Sequence, residues 1–330
     1  MTRVKITLAC CDYDRTRALL DGRVVPEGID LNYLPLEPEE TFWRMIRHQE
    51  FDASEMSLAM YAMEFARNAS PFVAIPVFPS RMFRHSSLYV RQDSGIEQPK
   101  DLIGKRVGVP EYQITAAVWV RGILKDQYGI SPEEIVWVTG GQEQPDRKEK
   151  IPLDTPSGVH IEQAPAGRSL NEMLLAGEIA ALLAARTPSI FRTRGSQIRR
   201  LFRDCRLVEK DYFTRTGIFP IMHTIVIRQD VYQQHPWVAA SLLKAHLQAK
   251  RLCYQSVSNP TSLRYLLPWT VADLEEMADL MGEDPWPDGL GPNQETLQTL
   301  MDYLWDQGLT PRHLSPEELF APNTADSFRI

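Results

Sequence analysis

The sequence predicts an α/β protein with a helical C-terminal extension. Over the first two thirds of the chain, short apolar runs rich in β-branched residues alternate with helical patterns, which is typical of helices layered on a mostly parallel sheet. Beyond residue 229 the pattern becomes helical alone. The chain has 330 residues, and a typical domain size of roughly 150 residues predicts about two domains.

Composition and charge exclude several classes of protein. Hydrophobic residues make up 43% and charged residues 24%, a balance that supports a packed core and leaves little room for a long disordered tail. The 43 acidic residues outnumber the 36 lysines and arginines, giving a net charge of −7. A nucleic-acid footprint over the whole surface is therefore not expected. An anionic ligand would need a local basic pocket.

Membrane and metal signals are absent from the sequence. No window approaches about 18 consecutive apolar residues, and the apolar stretch at the N-terminus is interrupted by Lys5, so we interpret it as a strand rather than a signal peptide. The four cysteines include the adjacent pair Cys10 and Cys11, and none has the CxxC or Cys/His spacing of a zinc site. We therefore expect a reduced, cytoplasmic protein that contacts neither membrane nor nucleic acid.

Short apolar runs bounded by turn residues predict the strands. In chain order they are Val4–Cys10, Ile29–Leu36, Phe51–Ser57, Phe72–Phe78, Ser86–Arg91, Arg106–Val109, Ile135–Thr139, Ala180–Ala184 and Phe219–Arg228.

Helical spacing of apolar residues predicts the helices. They are Glu39–His48, Leu58–Asn68, Gln113–Tyr128, Ser169–Gly177, Pro236–Ser256, Val271–Met281 and Glu295–Gln307. The fourth begins with Ser169-Leu-Asn-Glu172, a capping box in which each side chain satisfies a backbone amide of the other residue. The last three helices are predicted to wrap around the rest of the protein.

The polar, proline-rich segment Gly140–Gly167 is expected to be a solvent-exposed loop that contains a short hairpin. The alternative is a lid or a subunit contact.

Several separated motifs resemble, in order and spacing, the type II periplasmic binding proteins, and more specifically the 4,5-dihydroxyphthalate decarboxylase family. The resemblance to the binding proteins is carried by Cys11–Thr16, Val25–Leu31, Phe51–Ser57 and Asp101–Pro110. The resemblance to the decarboxylase family is carried by Phe78–His85, Gly108–Gln113, Trp119–Gly122 and Thr216–His223. The similarity covers essentially the entire chain.

This resemblance implies a two-lobed type II periplasmic-binding-protein-like fold with a cleft between the lobes. Residues 1–88 and 220–330 would form lobe 1, which includes the C-terminal helices, and residues 89–219 would form lobe 2. The crossovers between the lobes are placed near His85–Arg91 and Phe213–His223. In such α/β sheets the carboxyl ends of the strands face the ligand.

Basic side chains follow two of the predicted strands. Arg81, Arg84 and His85 come after the fourth strand, and two guanidinium groups with an imidazole suit a dianionic ligand, since a guanidinium holds a carboxylate bidentately. Arg186 ends the eighth strand and is predicted to be a second carboxylate clamp beside Arg81. A surface ion pair is the alternative for each.

A strand, a tight turn and a helix start lie close together around Glu111. A helix N-terminus receives a carboxylate through its unpaired N–H groups, so Tyr112 and Thr115 are predicted to contact the substrate. An acid is out of place in an anion site, which makes Glu111 a candidate proton carrier or metal ligand. The alternative is an acid that only complements the helix dipole.

Other polar side chains lie at the ends of the first and third strands. They are predicted to line the substrate pocket, with Tyr13 as a flat wall. This set consists of Tyr13, Asp14, Arg15, Glu55 and Ser57.

His223 lies in an apolar stretch at the second crossover, where a structural imidazole is the alternative to a functional one. Because two crossovers run side by side in such a fold, His85 and His223 are both expected to reach the cleft floor, and paired imidazoles suit proton transfer. The remaining histidines are interpreted as surface residues: His48, His160, His235, His246 and His313.

The resemblance implies a carboxy-lyase that converts 4,5-dihydroxyphthalate to protocatechuate and CO2, as part of aromatic catabolism. Arg81 and Arg186 would hold the carboxylate that stays, since gripping the leaving one equally would stabilise the ground state. His85 or His223 would donate the ring proton. The other histidine, or Glu111, would accept the hydroxyl proton.

Two alternatives remain open at this point. The first is a non-catalytic protein that binds or senses a small aromatic or carboxylate anion. The second places a divalent metal among His85, Glu111 and His223. No phosphate loop, dinucleotide turn or nucleophile elbow occurs, so no cofactor is predicted. A small-molecule aromatic dicarboxylate is the expected partner, and the sequence leaves a homo-oligomer open.

Overall fold

The computed structural model describes residues 3–193, 195–259, 261 and 263–324. The chain divides into two units. The first holds the described residues of Met1–Arg81, Ile221–Gln298 and Ser315–Ile330, and the second holds Met82–Pro220 and Thr299–Leu314. Residues 82–88, 220 and 299–314 therefore group with the second unit, whereas the sequence predicted them in lobe 1.

The strands are numbered along the chain. They are β1 (Val4–Cys10), β2 (Ile29–Pro35), β3 (Ala53–Ser57), β4 (Phe72–Arg81), β5 (Leu88–Arg91), β6 (Arg106–Val109), β7 (Val136–Thr139), β8 (His160–Gln163), β9 (Ala181–Leu183), β10 (Ile198–Arg200) and β11 (Ile221–Arg228).

The helices are numbered in the same way. They are α1 (Arg17–Leu20), α2 (Pro38–His48), α3 (Leu58–Ala66), α4 (Thr115–Tyr128), α5 (Leu170–Ala176), α6 (Cys205–Thr216), α7 (Gln229–Gln234), α8 (Trp237–Val257), α9 (Thr270–Met281), α10 (Gln294–Asp306) and α11 (Pro316–Leu319). None of the described helices combines the length and the apolar character needed to cross a bilayer.

The predicted strands and helices are confirmed, with ends shifted by a few residues. Elements that the sequence did not predict include β8, β10 and α6, together with the short helices α1 and α7. β8 and β10 are short and carry polar side chains, and α6 has a weak apolar stripe in which Cys205 and Tyr212 are the buried residues. Such segments give little periodic signal, because periodicity appears only where one face is buried.

The first unit is built on a five-stranded sheet with the order β2-β1-β3-β11-β4. β1 is parallel to β2 and β3, while β11 is antiparallel to both β3 and β4. Because β11 runs against its neighbours, its amino end lies beside the carboxyl ends of β3 and β4. Side chains from the start of β11 and from the ends of β1, β3 and β4 therefore share one edge of the sheet.

The second half of β4 departs from regular pairing with β11. Pro76 and Pro79 lie there, and proline has no N–H to donate to a ladder. The Phe78 amide instead donates to Asp288 Oδ1 at 2.8 Å, and its carbonyl accepts from Trp286 Nε1 at 2.7 Å. Phe78 is thus bonded to a C-terminal segment, while Ser80 and Arg81 still pair with β11.

Helix α8 covers the core of the first unit. Its buried face includes Val238, Leu242 and Ala249, which pack in the same apolar cluster as β1 and β11. His246 lies on this face and is 2% exposed, so the prediction that it is a surface residue was wrong. Its Nδ1 donates to the Leu242 carbonyl one turn earlier, at 2.7 Å.

The second unit is built on a six-stranded sheet with the order β10-β5-β9-β6-β7-β8. The strands β9, β6, β7 and β8 are parallel, and β5 is antiparallel to β9 and β10. The segment Gly140–Gly167 contributes β8, which pairs with β7 as a parallel edge strand. The predicted hairpin in this segment was therefore wrong, and the segment buries Ile151 and Val159 instead of lying free in solvent.

Candidate active site

A carboxylate and an imidazole meet at the edge of the first sheet. Glu55, on β3, places its Oε1 2.5 Å from Nδ1 of His223, on β11. The Glu55 side chain is fully buried, whereas the His223 side chain is 18% exposed. With Nδ1 facing the carboxylate, the other ring nitrogen, Nε2, is the one available to a bound molecule.

Three further donors hold the Glu55 carboxylate, one of them the Cys10 thiol, 3.6 Å from Oε2. The Tyr13 hydroxyl donates to Oε1 at 2.7 Å, and the Cys11 amide donates to Oε2 at 3.1 Å. Burial by itself would raise the pKa of Glu55, but the adjacent His223 and these hydrogen bonds bring that pKa below its ordinary value. A buried anion of this kind stabilises an imidazolium next to it.

The imidazole of His223 is also fixed by packing. The Phe42 ring meets it edge-on, with centroids 4.9 Å apart. In the strand register His223 lies opposite Ser57 of β3, and the pairing of β11 with β4 is irregular on both sides of it. Irregular pairing of this type is common beside active sites, where it redirects a side chain.

Arg15 lies next to this pair. Its guanidinium stacks on the rings of Tyr13 and Trp286, at 4.1 and 4.3 Å from their centroids, and its Nε donates to the Pro79 carbonyl at 2.6 Å. Its Nη1 pairs with the exposed Asp14 at 3.0 Å. The side chain remains 19% exposed, so part of the guanidinium faces solvent.

Arg81 occupies a different environment in the same unit. It is 6% exposed, and its Nη2 donates to the Pro287 carbonyl at 2.6 Å and to the side-chain oxygen of Asn293. Burial lowers the pKa of Arg81 to about 10, although Asp288 opposes that effect. These contacts join the end of β4 to the segment before α10, a structural arrangement that the sequence did not indicate.

Arg84 and His85 belong to the second unit, where they line a small, largely apolar recess. His85 packs edge-on against Phe202 and Tyr212, at 5.4 and 5.2 Å between centroids. Burial, and to a lesser degree the charge of Arg215, lowers the pKa of His85 to about 4. At neutral pH this imidazole is therefore uncharged.

Glu111 also lies in the second unit, and its carboxylate is already occupied. It is 1% exposed, Arg147 Nε donates to its Oε1 at 2.9 Å, the Lys150 amide donates to Oε2 at 3.1 Å, and the Lys150 ammonium binds the same carboxylate. The two cations come from the segment Gly140–Gly167. Glu111 thus holds that segment in place.

Of the remaining predicted site residues in the second unit, two are buried and one is exposed. Tyr112 is fully buried under the Arg121 guanidinium, which lies 3.6 Å from its ring centroid. Thr115 is buried at the first turn of α4. Arg186 is exposed after β9, and its carbonyl accepts from Gln142.

The structure brings together Tyr13, Arg15, Glu55, Ser57 and His223 in the first unit. The other predicted residues outside that unit are Arg84, His85, Glu111, Tyr112, Thr115 and Arg186, and the meeting of His85 with His223 stays a prediction. Within the described part of the chain, no group of three or more His, Cys, Asp or Glu side chains is arranged to hold a metal ion. The sequence did not predict the contact of the Phe42 ring with His223 or the stacking of Arg15 on Trp286.

Comparisons with known proteins agree with this architecture. A family model described as "NMT1/THI5 like" matches residues 27–146. The periplasmic aliphatic sulphonate binding protein SsuA from Escherichia coli has a similar structure, with a TM-score of 0.56 at 11% identity, covering 98% of this chain and 99% of that one. That likeness confirms the predicted two-lobed periplasmic-binding-protein-like fold.

Curated relatives are much closer in sequence. A protein of Comamonas testosteroni named 4,5-dihydroxyphthalate decarboxylase is 41% identical over 330 residues, covering 100% of both chains. A protein of Pseudomonas putida with the same name is 43% identical over 213 residues, which are 64% of this chain and 83% of that protein.

Proposed function

The chain belongs to the 4,5-dihydroxyphthalate decarboxylase family, and from this we propose that it converts 4,5-dihydroxyphthalate to protocatechuate and CO2. The full-length identity of 41% to a curated relative of that name supports a carboxy-lyase. Both relatives are named as enzymes, which does not favour the alternative of a non-catalytic binding protein.

The reaction replaces one ring carboxylate by a proton. The ring carbon that carries the leaving carboxylate accepts a proton, the bond to the carboxyl carbon then breaks, and its electron pair restores the aromatic ring as CO2 departs. A hydroxyl para to that carbon donates electron density and stabilises the protonated ring. The protein must therefore supply a proton donor beside the ring and hold the substrate in place.

The Glu55–His223 pair is the observation that supports this mechanism best. We assign His223 as the proton donor, with Nε2 facing the substrate and the buried Glu55 stabilising the imidazolium at Nδ1. His85 suits this role less well, because burial lowers its pKa to about 4 and leaves it at neutral pH as an uncharged imidazole, whose N–H is a very weak acid. A positioned acid of this kind contributes roughly 10²–10⁴-fold in rate.

Arg15 is better placed than Arg81 to hold the carboxylate that stays. Its guanidinium is oriented by two aromatic rings and stays partly exposed, whereas that of Arg81 is buried against Pro287 and Asn293. A guanidinium fixed before the substrate arrives binds a carboxylate with little loss of side-chain entropy.

Purified protein mixed with 4,5-dihydroxyphthalate, with CO2 and the ring product followed together, tests the proposal. Wild type should release one CO2 per protocatechuate, and in deuterated water the product should carry deuterium at the vacated ring position. His223→Asn, which keeps a donor toward Glu55, should lose at least 100-fold in kcat, whereas His235→Asn, at the C-cap of α7, should not. Substrate binding without any product would contradict the proposal, and normal turnover by His223→Asn would remove His223 as the donor.

We propose that the protein works in the cytoplasm. All four cysteines are unpaired, as is usual in reducing compartments.

We also propose a homo-oligomer that covers the exposed apolar side chains around α9, among them Leu266 and Trp269. Light scattering of wild type and of Trp269→Ser tests the second point, since a shift to lower mass is expected only if this surface is an interface.

A further inference from the structure

A recess lined by several polar side chains, among them Arg15, lies in the first unit. Its volume is about 220 Å³, counting the space at its mouth. It forms where the proline-containing half of β4 faces α8 and the C-terminal segment around Trp286. The residues that line it are Arg15, Thr16, Val77, Phe78, Pro79, His246, Lys250, Trp286 and Asp288.

His246, one of the residues that line this recess, has an unsatisfied acceptor. Its Nδ1 is used along the helix, donating to the Leu242 carbonyl at 2.7 Å. Its Nε2 is buried and has no hydrogen-bond partner among the described residues. Burial lowers the pKa of His246, so the ring is neutral and Nε2 carries a lone pair. Buried polar atoms are rarely left unpaired, and this atom requires a donor.

The charges in the recess favour a neutral donor over an ion. The Lys250 ammonium is 3.0 Å from Asp284 and 3.2 Å from Asp288, and it also donates to the Trp286 carbonyl at 2.6 Å. Its charge is thus balanced by two carboxylates. A hydroxyl group satisfies the acceptor at His246 and adds no net charge to a buried site.

The recess is connected to the proposed catalytic pair through Arg15. The guanidinium lines the recess and stacks on Tyr13, whose hydroxyl donates to Glu55. A ligand carboxylate bound by Arg15 therefore lies next to the recess that this arginine lines, and the ring hydroxyls of an aromatic acid are neutral donors.

We infer that this recess recognises a phenolic hydroxyl of the substrate, with Nε2 of His246 as the hydrogen-bond acceptor. The inference rests on the proposed function, because it takes a hydroxylated aromatic acid as the ligand. It makes His246 a specificity-determining residue: a site that pairs with a hydroxyl rejects the analogue without one, because its own polar atom would then stay unpaired.

Binding of two ligands tests the inference. Calorimetry with 4,5-dihydroxyphthalate and with phthalate, which lacks the hydroxyls, is carried out in a His223→Asn background so that bound substrate is not consumed. The unmodified recess should prefer the dihydroxy ligand by about tenfold or more. His246→Asn keeps a donor for Leu242 and removes the acceptor at Nε2, so this preference should disappear while the affinity for phthalate stays the same. His246→Gln, which returns a polar atom near Nε2, should recover part of it.

The outcomes separate this inference from the proposed function. Equal affinity for the two ligands with His246 present overturns the inference, whether or not the variants fold. Equal weakening of both ligands by His246→Asn also overturns it, because the residue would then act on structure alone. If wild type binds 4,5-dihydroxyphthalate selectively but does not turn it over, the decarboxylase proposal is contradicted. The recognition of the hydroxyl by His246 is supported by the same result.

Discussion

Glu55 and His223 are diagonal neighbours across the antiparallel strands β3 and β11. In the register Glu55 lies opposite Ile225, and His223 lies opposite Ser57. Residues two apart on a strand share a face, so the carboxylate reaches diagonally to the imidazole, at 2.5 Å. The backbone of the sheet therefore sets this contact before any substrate binds, which is the kind of rigid support that proton transfer requires.

Replacing Glu55 by Gln tests this relationship. The amide keeps the size of the side chain but removes the charge that stabilises an imidazolium on His223. We expect kcat to fall by about 10²–10⁴-fold, with a KM that changes little, since Glu55 is buried and does not face the substrate. Steady-state kinetics measure both constants.

Asp52→Asn is the matched control for that change. Asp52 is a carboxylate just before the same strand, and it accepts a hydrogen bond from the Thr7 amide at 2.8 Å, away from His223. Its amide variant should keep kcat near that of wild type. Equal losses in the two variants would mean that Glu55 contributes only to the stability of the sheet.

Arg15→Gln should weaken substrate binding more than catalysis. The substitution removes the guanidinium that stacks on Tyr13 and Trp286. Because charge-assisted bonds to a carboxylate are worth roughly 1.5–3 kcal/mol, KM should rise about tenfold to a hundredfold while kcat changes less. Arg17→Gln is the control, since Arg17 is exposed and pairs with Asp12. An unchanged KM in Arg15→Gln would exclude this arginine as the clamp.

Glu111→Gln should loosen the segment Gly140–Gly167. Breaking a buried ion pair costs about 3–5 kcal/mol, and here Arg147 and Lys150 would both lose their ion pair with the buried Glu111 carboxylate. Trypsin should then cleave after these residues at least tenfold faster, because cleavage follows local opening. Glu133→Gln, at an exposed glutamate, should keep the wild-type cleavage rate. Unchanged cleavage in Glu111→Gln would show that other contacts hold the segment.

Local patterns in the sequence were sufficient for most of the fold. The apolar runs that became β1, β6 and β11 are clear because their side chains are buried in the sheets. Local patterns in the sequence were not sufficient to predict the candidate active site. Glu55 and His223 are 168 positions apart, and their contact depends on the register of two strands that are remote along the chain.

The burial of His246 was predictable from the sequence, although the residue was interpreted as a surface histidine. It follows Leu242 by four positions and precedes Lys250 by four, so a helix places all three on one side, and Leu242 is an apolar core position. Helical spacing therefore indicated burial, although the residue type favoured the surface. Arg81 is the opposite case, because its partners Pro287 and Asn293 lie more than two hundred positions away and no spacing predicts them.

His85 should make the protein less stable as the pH falls from 6.5 to 4. Burial lowers its pKa in the folded state from 6.5 to about 4, so the unfolded chain takes up a proton in this interval while the folded chain does not. Folding stability then declines as the pH drops through 6.5 and levels off near pH 4, a total of about 3 kcal/mol from this residue. In His85→Leu this part of the decline should vanish. Urea unfolding at pH 7 and pH 4.5 measures the difference, with His48→Leu at an exposed position as the control, and an identical decline in His85→Leu and wild type would contradict the buried, neutral state of His85.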